Sequence, residues 1–251
     1  MIRHQSILNE LKKKGYISVS ELCDKFKVSS VTIRKDLKLL DKKGLLFKTH
    51  GGASINNPYI NERNVSEKEN INISEKKMIA QEALKLVKPN DDIMISSGTT
   101  MQAFARELNI EQELNVITSS LNVSIELTKC PSINILQLGG NVRHSSSSVT
   151  GYFSTSVLKN ITCNLLFLGV DGIDIGFGCT TTSLEEAILN QEMIKSAQKV
   201  IVLADSTKFN KKGFGKICDL EEIQHIITDS GISNAIAKEI RGKGIELTIA
   251  S

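Results

Sequence analysis

The sequence predicts an α/β protein with two parts: a small helical head ending in a β-ribbon, and a larger body built on a mostly parallel sheet. Three observations carry this reading. Residues 1–50 hold 12 basic and five acidic residues, a net of +7, whereas the remaining 201 hold 19 basic and 23 acidic, a net of −4. Apolar residues recur at helical spacing through the first 40 residues, then give way to a short alternating run broken by Gly51-Gly52. From Ile93 to Ile249, short apolar runs alternate with helical patterns, the signature of a parallel sheet with crossover helices.

In the head, Ile7, Leu8 and Leu11 stripe a first helix that ends near Lys14-Gly15. Ser18-Val19-Ser20-Glu21 is a capping box, in which Ser18 can bond the Glu21 amide while Glu21 reaches back. It opens a short helix with Leu22 and Phe26 facing inward. After the Lys27-Val28 turn, Ser29 caps a third helix with Ile33, Leu37 and Leu40 on one face. At 100° per residue, Val31, Lys35, Lys38 and Lys42 point the other way, with Thr32 and Arg34 on the flanks. A cationic outer face with hydroxyls at its N-terminal end fits a helix that enters the major groove of duplex DNA. Arg34 and Lys35 are candidates to read guanine or hold phosphate, Ser30 and Thr32 to contact phosphate or base edges, and Lys38 adds charge. Leu45 to Gly52 reads as a β-ribbon, or wing, that places Lys48 and His50 against the DNA backbone or minor groove. The expected head is residues 1–57, a winged helix-turn-helix with the helix-turn-helix at about 20–39. An ordinary solvated lysine face is the alternative.

Residues 58–73 are Asn- and Glu-rich and read as a linker. The body, 74–251, opens with a helix carrying Ile79, Ala83, Leu84 and Val87. Strands are expected at 93–95, 116–118, 133–136, 165–170, 200–203, 226–227 and 247–249, with helices at about 100–108, 121–128, 152–158, 184–197 and 233–243. Ligands of such sheets bind beyond the carboxyl ends of the strands. The first strand leads into Ser97-Gly98-Thr99-Thr100 and directly into a helix, an arrangement that offers free amides and a helix dipole to an anion, or is simply a capping turn. Beyond the third strand, Arg143 can clamp a phosphate, and Ser145 to Ser148 either line the same site or form a plain loop. Beyond the fourth, Asp171 and Asp174 can accept sugar hydroxyls. Beyond the fifth, Lys208 can balance an anionic ligand or sit in a surface ion pair. The ligand class these groups suit is a phosphorylated sugar or polyol.

Other chemistries find little support. There is no Walker P-loop, and Gly176-x-Gly178 lacks the third glycine of a dinucleotide fingerprint. Cys23, Cys130, Cys163, Cys179 and Cys218 are spaced unlike a zinc or redox motif and read as buried free thiols. No metal and no cofactor is expected. No apolar run is long enough to span a bilayer and no apolar signal core follows Met1, so a soluble, cytoplasmic protein without membrane partners is expected.

The head resembles the winged helix-turn-helix of the DeoR family of bacterial transcriptional regulators. The resemblance rests on Val19-Ser20-Glu21-Leu22, Val28-Ser29, Thr32 to Leu37, Leu40, Gly44 and His50-Gly51-Gly52-Ala53. Lys35 and Lys48 stand where the family usually has arginine, which keeps charge but loses the bidentate fork. The body resembles the family's sensor domain at Ser97 to Thr100, Leu138-Gly139-Gly140, Gly151, Phe167-Leu168-Gly169, Glu185-Glu186-Ala187, Ala204 to Phe209 and Ile227-Thr228-Asp229. Ser96 replaces the family's usual Asp. The resemblance implies a body similar in fold to ribose-5-phosphate isomerase and glucosamine-6-phosphate deaminase. It also implies a homo-oligomeric repressor of sugar-catabolism genes, released from double-stranded operator DNA by a phosphorylated sugar. Leu166 to Asp174 with Thr180-Thr181 looks most like the branch responding to amino-sugar or galactitol-type phosphates. The alternative is a sugar-phosphate isomerase or deaminase with a basic appendage. Against it, Gly176 to Cys179 lacks the lysine of the isomerases' catalytic stretch, so no catalytic residue is expected.

Overall fold

The computed structural model describes residues 2–49, 51–54, 65–108 and 113–251. His50 and residues 55–64, the first part of the expected linker included, lie outside them. The chain divides into two compact units, 1–62 and 63–251.

In the first unit, α1 (Ile2–Lys14) leads through strand β1 (Tyr16–Ser18) into α2 (Val19–Phe26) and α3 (Ser30–Lys42). Strands β2 (Phe47–Lys48) and β3 (Gly52–Ser54) follow, and β3 lies between β1 and β2 in a small antiparallel sheet. The capping box forms as the sequence implies: the Glu21 amide donates to Ser18 Oγ at 3.1 Å, and the Ser18 amide donates to Glu21 Oε2 at 2.9 Å. Ile7, Leu11, Leu22, Ile33, Leu37 and Leu40 make one core with Ile17 and Ala53 of the sheet and Leu46 just before β2. Gly52 is obligatory, since a Cβ there would lie 2.1 Å from the Ile17 carbonyl oxygen.

The second unit begins with α4 (Val65–Glu69) and α5 (Ile73–Leu84). The segment expected to be linker therefore ends in a helix of the body: Val65 is buried, and a low apolar content hid a packed turn. The chain continues through β4 (Asp92–Ile95), α6 (Thr99–Glu107), β5 (Leu114–Thr118), α7 (Leu121–Leu127) and β6 (Ile133–Gln137). A hairpin, β7 (Asn141–Arg143) and β8 (Ser148–Thr150), leads to α8 (Tyr152–Leu158) and the central strand β9 (Cys163–Gly169). Then come β10 (Gly172–Asp174), β11 (Gly178–Thr181), α9 (Leu184–Lys195), β12 (Ala197–Leu203), β13 (Gly215–Cys218), β14 (His225–Asp229), α10 (Asn234–Gly242) and β15 (Glu246–Ala250).

Seven of these strands form a wholly parallel sheet in the order β15-β14-β12-β9-β4-β5-β6. Its two faces bury separate cores. Leu166 and Leu168 of β9 join one with Val200 and Val202 of β12; Phe167 joins the other with Ile201 and Leu203. This is the period-two alternation of a strand buried on both sides. The Phe104 and Phe167 rings meet at 4.4 Å between centroids, tilted 43° to each other, packing α6 on β9. After β4 the chain steps outward to β5 and β6, then returns on the other side of β4 through β9. The strand order thus reverses between β4 and β9, the position where open α/β sheets leave a crevice at their carboxyl ends.

Candidate functional site

On the head, Ser30, Arg34, Lys35 and Lys38 are exposed on α3, and Lys48 is exposed on β2. Thr32 is half-buried and engaged locally: its amide donates to Ser29 Oγ, and the two hydroxyls lie 3.0 Å apart. Sequence reasoning missed what seats this helix. Asp36 is buried and accepts from Arg3 Nε at 2.6 Å and lies 2.9 Å from His4 Nε2. Burial opposes its ionisation, but Arg3 and His4 outweigh that and hold the carboxyl below its usual range. Its signal was an acid three residues after Ile33 and four before Leu40, on the apolar face. The wing is fastened as well. The Lys48 amide donates to Asp41 Oδ1 at 3.0 Å, and the Val19 amide to the Gly51 carbonyl at 2.7 Å.

In the body, the carboxyl ends of β4 and β9, where such sheets place their ligand crevice, gather five loops. Ser96 is fully buried, and its Oγ accepts the Gly169 amide at 2.8 Å, so this serine ties β4 to β9. The approach requires glycine at 169, where a Cβ would lie 2.7 Å from the Ser97 carbonyl oxygen. Gly98, at φ +122°, precedes α6, and no side chain caps the helix there. The amides of the first turn are therefore left for a ligand or water. Thr99 is half-buried and Thr100 buried at its start.

Glu186, buried on α9, joins these loops. Its Oε1 accepts from Ser97 Oγ at 3.4 Å and Ser148 Oγ at 3.1 Å, and its Oε2 from Thr181 Oγ1 at 3.3 Å. Arg143 approaches Glu185 at 3.6 Å and Glu186 at 3.9 Å. Thr181 Oγ1 also lies 3.2 Å from Asp171 Oδ2, which accepts from the Thr182 amide at 3.3 Å. On the other oxygen, Asp171 Oδ1 meets Lys68 Nζ at 2.9 Å and Lys208 Nζ at 3.9 Å. Burial would raise the Asp171 pKa, but Lys68 and Lys208 prevail and bring it down to about 2. Behind them Lys76 of α5 is buried and donates to the Lys68 carbonyl at 2.6 Å. Burial pulls its pKa down to about 8, against the attraction of Asp205.

Of the residues expected to bind an effector, the structure brings Ser97, Gly98, Thr99, Thr100, Arg143, Asp171 and Lys208 to these strand-end loops. Asp174 is not with them. It lies three residues farther along an extended strand, a run of about 10 Å. There its Oδ1 accepts the Gly176 amide at 3.0 Å and pairs with Lys212 at 3.4 Å. Lys68, Lys76 and Glu186, which touch these loops or their neighbours, were not among the expected residues. Lys76 had a signal, since it starts the i, i+3, i+4, i+7 face that continues through Ile79, Ala80 and Ala83. Lys68 had none, because its partner is 103 positions away. Among the described residues no group of His, Cys, Asp and Glu could hold a metal ion. None of the described helices is long and apolar enough to cross a membrane.

A head built to lay an exposed cationic helix against duplex DNA, joined to a doubly wound domain with a charged crevice at its switch point, defines a transcriptional regulator with a ligand-sensing body. Residues 3–59 match the DeoR-like helix-turn-helix domain and residues 71–230 the DeoR C terminal sensor domain. The chain belongs to the DeoR family of transcriptional regulators. The HTH-type transcriptional regulator GolR of Listeria innocua is 34% identical over 248 residues, 99% of this chain and 98% of that one. The lactose phosphotransferase system repressor of Staphylococcus epidermidis RP62A is 32% identical over 231 residues, 91% of each. Ribose 5-phosphate isomerase A of Methanocaldococcus jannaschii aligns over 55% of each chain, with a TM-score of 0.42 and 20% identity.

Proposed function

We propose that this regulator is a cytoplasmic repressor of sugar-catabolism genes that leaves its operator when the crevice between β4 and β9 binds a phosphorylated sugar or amino sugar. The observation that carries the reading is the run of polar contacts Ser97–Glu186–Thr181–Asp171, with Lys68 bonded to Asp171 and Lys208 3.9 Å from it, which joins an uncapped helix N-terminus to a carboxylate flanked by lysines. The phosphate docks on the amides and hydroxyls of Ser97 to Thr100, where the dipole of α6 favours an anion and Lys208 and Arg143 add charge. Sugar hydroxyls donate to Asp171, which stays ionised at any physiological pH. On the head, Arg34, Lys35 and Lys38 meet bases and phosphates in the major groove, with Lys48 and His50 on the wing. Effector binds the DNA-incompetent arrangement more tightly and so shifts the population off the operator.

We further propose that the protein works as a homo-oligomer. Tyr152 and Phe153 of α8 are 78% and 72% exposed, and Leu184 and Ile188 of α9 are exposed too, an apolar surface suited to a second copy. Phe153→Glu is expected to halve the mass measured by light scattering; an unchanged mass sets this surface aside. The sensing reading is tested by a thermal-shift screen of the full chain against ribose 5-phosphate, glucosamine 6-phosphate, galactosamine 6-phosphate and inorganic phosphate. One sugar phosphate is expected to raise Tm by several degrees. No shift beyond that of inorganic phosphate rejects it.

A further inference from the structure

Helix α4 is the first described element after residue 54, and it spans only five residues. A helix so short has no stability of its own. Its fastenings hold it: the Val65 amide donates to the Ser145 carbonyl at 2.7 Å, Lys68 pairs with Asp171, the Lys68 carbonyl accepts from Lys76, and Glu69 meets Arg106 at 2.6 Å. The first three lead to the strand-end loops of the crevice or to the buried lysine behind them.

The two oxygens of Asp171 are not equivalent. Oδ2 accepts from the Thr182 amide at 3.3 Å and Thr182 Oγ1 at 3.4 Å, and Thr181 Oγ1, whose one proton is shared between this oxygen and Glu186, lies 3.2 Å away. A carboxylate oxygen has about two lone-pair sites, so these donors fill it. A further donor must therefore come to Oδ1, and that oxygen already faces two cations, the Lys68 ammonium hydrogen-bonded at 2.9 Å and the Lys208 ammonium at 3.9 Å, so an incoming hydroxyl has to contend with one of them, and Lys68 is the one in bonding contact.

We propose that Lys68 is an internal competitor for the effector: it holds the Asp171 oxygen that a sugar hydroxyl needs, so effector binding detaches α4 from Asp171. The proposal rests on the reading of the crevice as a sugar-phosphate site. Lys68 is then a positioning residue, and α4 a strap at the point where the chain enters the sensing domain. The strapped form has the lower effector affinity because hydroxyl and ammonium contend for one oxygen. That difference in affinity is what a ligand needs to move a conformational equilibrium. Lys76 keeps the strap in register by gripping the Lys68 carbonyl while the side chain is free to leave.

The experiment compares full-length wild type, Lys68→Met and Lys68→Arg. Calorimetric titration uses ribose 5-phosphate, glucosamine 6-phosphate and galactosamine 6-phosphate, and hydrogen exchange follows the amides of residues 65–71. For the probe that wild type binds, Lys68→Met is expected to bind about five- to tenfold more tightly. Without ligand it exchanges these amides faster than wild type does, and ligand causes little further increase. Lys68→Arg restores wild-type values of both. Weaker binding by Lys68→Met, or unchanged exchange at 65–71, overturns the proposal and leaves the crevice reading intact. If none of the three probes binds wild type or Lys68→Met, the crevice reading itself falls, and this proposal with it.

Discussion

The Ser97 hydroxyl donates to Glu186 Oε1 across 3.4 Å, although 89 residues separate the two in the chain. The same oxygen accepts from Ser148, so one buried carboxylate sets the spacing between the turn after β4 and the hairpin after β6. Glu186→Ala leaves those hydroxyls without an acceptor and is expected to cost about 1–3 kcal/mol of stability in urea denaturation. Effector response should be lost and DNA binding kept. Glu186→Gln, which can still accept, should lose less of both. Full effector response in Glu186→Ala contradicts its role.

Thr99→Glu separates sensing from folding. An acid in the first turn of α6 suits the helix dipole, so stability should hold or rise slightly. The same charge repels a phosphate from the amides beside it. Effector affinity is expected to fall more than tenfold, giving a repressor that binds DNA and ignores inducer. Normal induction rejects the phosphate position.

On the head, Arg34→Ala should weaken binding to a duplex selected from a random library by about 1–3 kcal/mol and relax the preference at one base pair. Lys38→Ala should weaken binding to all sequences alike and reduce the salt slope by about one. Unchanged affinity in both variants removes α3 from the groove. Neither change touches the packed face, because both side chains are exposed.

Two buried charges each make stability rise with pH, in separate windows. Asp171 titrates at about 2 in the folded chain against an ordinary 3.8, so its stabilisation is complete above about pH 4 and disappears as pH falls toward 2. The contribution is on the order of 2 kcal/mol. Lys76 titrates at about 8 against 10.5, so the unfolded chain holds more protons between those values, and stability rises with pH across that window. Urea denaturation at a series of pH values checks both. Asp171→Asn should flatten the acid limb and Lys76→Met the alkaline one. Limbs of unchanged slope contradict the assignments.

Much of this architecture was legible in the sequence, and the reasons are local. The Ser18–Glu21 box, the Ser29 cap and the Ile33–Leu37–Leu40 stripe are fixed by neighbours within a turn or two, so periodicity and spacing find them. The seven sheet strands are short apolar runs with a helix between most of them, which the pattern also finds. Lys68, Glu186 and Asp36 escaped because what defines them is a partner 103, 89 or 33 positions away. Asp174 was misplaced for the converse reason. Its nearness to Asp171 in sequence suggested a pair, yet the backbone between them is extended and carries it to the hairpin turn. Strand β1 was overlooked because three residues, Tyr16 to Ser18, show no alternation until β3 lies beside them.

The Lys48–Asp41 and Val19–Gly51 bonds lock the wing to the third helix and to the start of the second. In the proposed operator complex the described residues of the head would therefore act as one stiff die, with a single fixed distance between the groove-reading and backbone-gripping surfaces. Any latitude in the spacing or phasing of half-sites would then have to arise outside this head.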